Sequence, residues 1–414
     1  MVQVPPEACG LVDFRPLMHT PSPNVWSGAF TCVFVAAVFH ELSFAFMINL
    51  PGYFSELGAS EGQIGLVVAA AGAVSLVLRP LVARYLDLVG RKPIILVAAG
   101  VNTASLILFL TVSQYGPWMF ATRALFTVSE IALFTAFLTY AADTLPSERR
   151  TQGLAYFGLA GLVPIAMGSV LAEGILSRWG FSGLLRVAAA AVALSFFVAL
   201  SLPRRPTDES AIRPRRSLWA VLRQRDLVPL WVISFAVAIG IDVLFTYMRT
   251  FTNLIGVGSV GLFFGVYAGM AAAIRVGAGA LPARFGYRRV LVPTFLALAA
   301  AQVLLSLTQN TFQFIAAAAI GGLGHGLVFP ILTSEVVGRA RTAERGTAMA
   351  LFISMFDLAV MVAIPVIGRV IDISGYPAAF ATTAVLQIVG LVAFMVLDRN
   401  AMGPSVARMG VSDL

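Results

Sequence analysis

A chain of 414 residues that is 59% hydrophobic and only 12% charged, with a mean hydropathy of +0.88, has too little polar surface to cover a core in water. That excludes a soluble globular protein and predicts one dissolved in lipid. The net charge of +8 comes from 27 Arg and the single Lys92 against 20 acids. In a membrane protein such an excess orients helices, so no nucleic-acid partner is expected. Cys9 and Cys32 give neither a disulfide framework nor a metal spacing, and no metal or cofactor is expected.

Residues 1–26 read as a short cytoplasmic tail. It holds Pro5, Pro6, Pro16, Pro21 and Pro23 and lacks the basic start of a secretory signal. Twelve mostly apolar runs of spanning length follow, near 27–50, 62–83, 93–112, 116–141, 151–175, 182–202, 228–252, 260–281, 289–309, 311–338, 344–368 and 377–397. The runs are continuous rather than alternating, which predicts an all-α polytopic membrane protein of 12 transmembrane helices and not a barrel. An even number of spans puts both termini on one side. Placing that side in the cytoplasm collects 21 of the 28 basic residues there, among them Arg84, Arg91, Lys92, Arg149, Arg150, Arg284, Arg288, Arg289, Arg339, Arg341 and Arg345.

The linker at 203–227 is Pro-rich and charged, then becomes Ser217-Leu-Trp-Ala-Val-Leu-Arg-Gln-Arg-Asp226, whose Leu218, Val221 and Leu222 recur at helical spacing. This predicts a short helix in the cytoplasmic interface. The linker separates an amino-terminal bundle, 27–202, from a carboxy-terminal one, 228–397, and 398–414 forms the second tail. The halves repeat. A shift of 196 residues carries Gly65-Leu66 onto Gly261-Leu262, Arg79 onto Arg275, Gly90 onto Gly286, Lys92 onto Arg288 and Glu148-Arg149 onto Glu344-Arg345. Two such halves related by an axis along the membrane normal are the plan of one class of secondary transporters.

Between the second and third spans runs Arg79-Pro-Leu-Val-Ala-Arg84-Tyr-Leu-Asp87-Leu-Val-Gly90-Arg91-Lys92. Asp87, then Gly90 and a basic pair, resembles the signature loop of the major facilitator superfamily. The second half carries a worn copy, with Ala283 in place of the Asp. With twelve spans and a central linker, the resemblance covers the whole chain. It implies two pseudo-symmetric six-helix bundles and transport by alternating access. It also implies a gating role for Asp87, facing Arg149 or the start of the helix near Glu344, where a carboxylate is favoured. Arg123 resembles the family's intramembrane Arg on the fourth span. The exporter motif of the fifth span is incomplete: Pro164 is present, but Val163 precedes it. The sugar-porter signature after the sixth span is missing.

Glu41, Arg123, Glu130, Asp242, His325 and Asp357 fall inside predicted spans. An unpaired charge near the bilayer centre costs about 2.5–3.5 kcal/mol, which is tolerable facing a watery cavity and not facing lipid. Glu41 is the first proton-coupling candidate, because low dielectric disfavours the ionised acid and lets it take up and release a proton. Arg123 is its expected partner; Glu130, Asp242 and Asp357 are further coupling candidates. His40, Phe44, Met47 and His325 are candidates for lining the substrate cavity, although a hydrogen-bonded core role suits both histidines. Arg249, near the end of its span, is expected to snorkel. Four acids against one deep Arg favour protons and cationic or neutral substrates over organic anions.

The expectation is a monomeric, proton-coupled exporter of a small amphiphilic molecule in a bacterial inner membrane. The same residues would serve a proton symporter importing a metabolite. A sensor or scaffold without transport would gain nothing from burying these acids. An enzyme is disfavoured, since there is no nucleophile–base pair, metal cluster or phosphate-binding Gly loop.

Overall fold

The computed structural model describes residues 25–146, 149–204, 218–341 and 344–398. They form helices α1 (Gly28–Met47), α2 (Leu50–Glu56), α3 (Glu61–Val89), α4 (Arg91–Phe109), α5 (Pro117–Thr144), α6 (Arg150–Phe157) and α7 (Leu159–Leu200). After the linker come α8 (Leu218–Leu222), α9 (Val228–Ile255), α10 (Val260–Ala278), α11 (Leu281–Phe285), α12 (Tyr287–Ser306), α13 (Thr311–Arg339) and α14 (Arg345–Leu397). The tail residues Glu7, Cys9 and Asp13, much of the linker, Glu148 and residues 399–414 lie outside the described residues.

Among the described residues, ten segments are long and apolar enough to cross a membrane. Two of them are double. α7, at 42 residues, and α14, at 53, each contain one non-helical glycine, Gly180 (φ 60°, ψ −167°) and Gly375 (φ 79°, ψ 174°). Each therefore folds into two spanning arms, which makes twelve spans. The sequence placed ends near 175 and 368, but both arms run on to the glycine. A positive φ is open to Gly at little steric cost, so a whole helical hairpin turns on one residue.

The first span also exceeds its expected length. Helix resumes at Leu50 after a short turn and reaches Glu56, with Pro51 in its first turn, where the missing N–H costs nothing. The connection expected over 51–61 shrinks to Leu57–Ser60. Of the expected linker helix only five residues are helical. Val221 is buried while Leu218 and Trp219 are exposed, and Trp231 Nε1 donates to the Leu222 carbonyl at 3.1 Å.

α1, α3, α4, α5 and α7 form one bundle; α9, α10, α12, α13 and α14 form the other. The repeat is visible in the backbone. Gly90 (φ 92°, ψ 162°) ends α3, and Gly286 (φ 86°, ψ 143°), 196 residues later, makes the same turn before α12. These turns lie on what is called here the motif side; Gly180 and Gly375 lie on the far side.

Two seams join the bundles: α3 against the first arm of α14, and the first arm of α7 against α10. Near the far side they are tight. A Cβ at Gly65 would fall 2.8 Å from Pro365 Cα, and one at Gly261 would fall 2.9 Å from the Ser169 carbonyl. Along α10 the contact then fades: a Cβ at Gly265 meets only Val170, at 3.7 Å, and one at Gly269 meets nothing within 4 Å. The second seam loosens toward the motif side.

Candidate functional site

Glu41 lies on α1 and faces Gly161 on the first arm of α7. A Cβ at Gly161 would come 3.9 Å from Glu41 Oε2 and meet nothing else within 4 Å. Among the described residues the Glu41 carboxylate has no hydrogen-bond or ion-pair partner. Arg123, its expected partner, is not joined to it. The Arg123 guanidinium sits 5.4 Å from the Phe126 ring centroid, and its Nε is buried without an acceptor.

Glu130 is engaged instead. Asn102 Nδ2 donates to its Oε1 at 2.7 Å and to Ser129 Oγ at 3.0 Å, while His40 Nε2 lies 3.6 Å from Glu130 Oε2. His40 is 1% exposed and packs on Phe137, with Nδ1 buried and unpartnered. The α1, α4 and α5 helices thus gather His40, Asn102 and Glu130 into one cluster. Phe44 is half-buried. Met47 packs into the hydrophobic core at 6% exposure, so it lines no substrate space here. Met47 is close to Glu41 in sequence, but six residues is well short of two helical turns, so the two do not share a face.

In the other bundle Asp357 is fully engaged. Arg79 Nε and Nη2 donate to its two oxygens at 2.9 and 3.0 Å, and Ser75 Oγ donates at 2.7 Å. This bidentate pair crosses the first seam. Asp242 Oδ2 is buried without a hydrogen-bond partner among the described residues. His325 Nδ1 shares a 2.9 Å hydrogen bond with Tyr267, the core role suited to it. Beside it, Arg275 Nε donates to the Gly326 carbonyl at 3.0 Å.

On the motif side the basic pair holds the bundle together as well as carrying charge. Arg91 Nε reaches Asp143 at 3.1 Å, and its Nη2 lies 3.9 Å from Asp87. Lys92 Nζ donates to the Leu200 carbonyl at 2.7 Å. Arg149 stands immediately before α6.

The far side carries contacts that the sequence did not announce. Asp372, on α14, accepts from Ser60 Oγ and from the Glu61 and Gly62 amides, each at 3.0 Å, so it caps α3 from the opposite bundle. Thr250 Oγ1 donates to Glu61 at 3.1 Å, and Tyr247 donates to the Ile364 carbonyl at 2.7 Å. Arg249 does not snorkel. It forms an ion pair at 3.2 Å with Glu173 on α7, so α9 is tied to the opposite bundle. Ser60 and Gln63 form a capping box, and nothing in sequence marks Asp372 as the second cap.

Among the described residues the arrangement leaves Glu41 without an ion-pair partner inside the amino-terminal bundle and ties the bundles together on the far side through Asp372 and Glu173. The Major Facilitator Superfamily profile matches residues 29–282 and 255–409. The staphylopine export protein of Staphylococcus aureus (strain Mu50 / ATCC 700699) is 22% identical, over 81% of this chain and 87% of that protein. An uncharacterised MFS-type transporter of Burkholderia mallei (strain SAVP1) is 23% identical, over 84% and 86%. Among solved structures, the nucleoside transporter NupG superposes with a TM-score of 0.75 at 14% identity, covering 90% of this chain and 100% of that one. The POT family transporter PepTSo superposes with a TM-score of 0.74 at 10% identity, covering 92% and 99%. Profile, relatives and fold agree: the chain belongs to the major facilitator superfamily and is a multi-pass membrane transporter.

Proposed function

We propose that the protein is a proton-coupled exporter of a small amphiphilic molecule, a monomer in a bacterial inner membrane with both termini in the cytoplasm. The observation that carries the reading is the Glu41 carboxylate, held within the amino-terminal bundle beside the open position at Gly161 and, among the described residues, matched by no cation. An acid so placed is stable when it holds a proton or faces a cationic group, and it changes state as the opening changes sides. The direction is taken from the Staphylococcus relative, which is an export protein. The side comes from the arginines. Asp87 and Arg149 act at the motif-side gate, which is cytoplasmic in this reading.

The test is a screen of small amphiphiles for transport driven by an imposed pH gradient in proteoliposomes. The best substrate is then carried into Glu41→Gln, which imitates the protonated acid. Gradient-driven accumulation is expected to disappear, while exchange across a symmetric membrane survives. Full pH-driven accumulation in Glu41→Gln would move the coupling site to Glu130 or Asp242.

A further inference from the structure

The repeat makes one seam a control for the other. In the first seam, Arg79 on α3 meets Asp357 on α14, with Ser75 bonded to both partners. The shift of 196 residues that carries Arg79 onto Arg275 also carries Gly161 onto Asp357, and Ser75 onto Ala271. The second seam, between α7 and α10, has therefore kept the guanidinium and lost both the acid and the hydroxyl. Arg275 turns onto its own bundle. Its Nε donates to the Gly326 carbonyl at 3.0 Å, and among the described residues its terminal nitrogens have no carboxylate. At Gly161, where the acid would stand, there is open space, bordered by Glu41 Oε2. Glu41 too is without a partner.

The first seam thus closes on an internal ion pair, whereas the second leaves one negative and one positive group unmatched on the two helices that flank the first arm of α7. Both charges are costly inside the membrane unless something meets them. A water-filled opening lowers that cost, and a ligand carrying both opposite charges removes it. We infer that the substrate is zwitterionic: its ammonium group is received by Glu41 and its carboxylate by Arg275, the acid that answers Arg79 in the first seam being replaced in the repeat by Gly161. The inference rests on the carrier reading above and narrows it, since an amine alone would leave Arg275 unmatched. Guanidinium and carboxylate bond bidentately, which suits Arg for the anionic end.

The test is equilibrium binding to the purified full-length protein at pH 7 with no gradient, using three matched probes. These are phenylalanine, its decarboxylated amine phenethylamine, and its deaminated acid 3-phenylpropionate. Wild type is expected to bind phenylalanine more tightly than either of the others. Arg275→Gln should weaken phenylalanine about tenfold or more, as for loss of a charged hydrogen bond, and leave phenethylamine unchanged. Glu41→Gln should weaken phenylalanine and leave 3-phenylpropionate unchanged. Gly161→Asp, which returns the acid to the second seam, should occupy Arg275 and erase the preference for the zwitterion, and it serves if Glu41→Gln fails to fold. Equal binding of phenethylamine and phenylalanine, indifference of phenylalanine to Arg275→Gln, or no binding of any probe would overturn the inference. Failure here, with pH-driven transport still lost in Glu41→Gln, strikes the substrate class alone. Success here, with pH-driven transport retained in Glu41→Gln, strikes the coupling reading alone.

Discussion

Arg79 and Asp357 are 15% and 12% exposed, so each depends on the other for its charge. Truncating one strands its partner, at a cost of roughly 3–5 kcal/mol for a well-buried pair, and less here because some water reaches both. Arg79→Gln and Asp357→Asn should therefore each lower the melting temperature of the purified protein by several degrees. The double variant should recover much of that loss, because it leaves no charge behind. Additive losses in the three measurements would mean that the pair contributes nothing jointly. In the sequence, Asp357 is legible as an expensive intramembrane acid and Arg79 as a repeat marker. Their pairing is not, since 278 residues separate them and nothing local joins them. The same limit applies to Glu41: its cost is local and visible, whereas the Gly161 that faces it is known only from packing.

At the scale of elements, α3 begins with two caps from different bundles. Ser60 accepts from the Gln63 amide at 3.3 Å in the usual local way. Asp372 adds a full negative charge at the same helix end, which typically contributes about 0.3–1 kcal/mol and up to ~2 kcal/mol where partly buried. When the far side opens, α3 and α14 must part, and this cap must break. Asp372→Asn keeps the shape and removes the charge, so it should shift the population toward a far-side-open form. A cysteine at Thr246, buried in α9 at 5% exposure, reports it in a background without other cysteines. Labelling by an impermeant maleimide from the far side should quicken several-fold in Asp372→Asn. An unchanged rate would assign the cap to helix stability only. Helix positions were legible because apolar runs and Gly-Pro punctuation are local. Ends were less so: α2 continues beyond a Pro, which in sequence reads as a stop.

The whole molecule is a repeat, and its topology follows from charge. Reporter fusions after Arg225 should report cytoplasm, and fusions within Leu57–Ser60 the opposite side; the reverse pattern would invert the arrangement. The two-bundle plan was the most legible feature of all, because one offset runs through 85 positions. What the offset hides are its exceptions, Gly161 in the place of Asp357 and Ala283 in the place of Asp87, where the two halves differ.

Gly180 and Gly375 are corners with no slack. A long loop absorbs motion, so two helices joined by one can shift independently. Two arms welded at one residue behave as a bent lever, and a tilt of the arm at the seam is delivered undiminished to the arm behind it. The arms at the seams are the first halves of α7 and α14; in the arms behind them Ser195 of α7 bonds the Ala36 carbonyl of α1, and Phe380 of α14 packs on Phe251 of α9. Rocking at either seam therefore sweeps a hairpin as one rigid piece. The bilayer facing the outer arms must yield around it, so the turnover of this carrier is tied to the stiffness of the surrounding lipid.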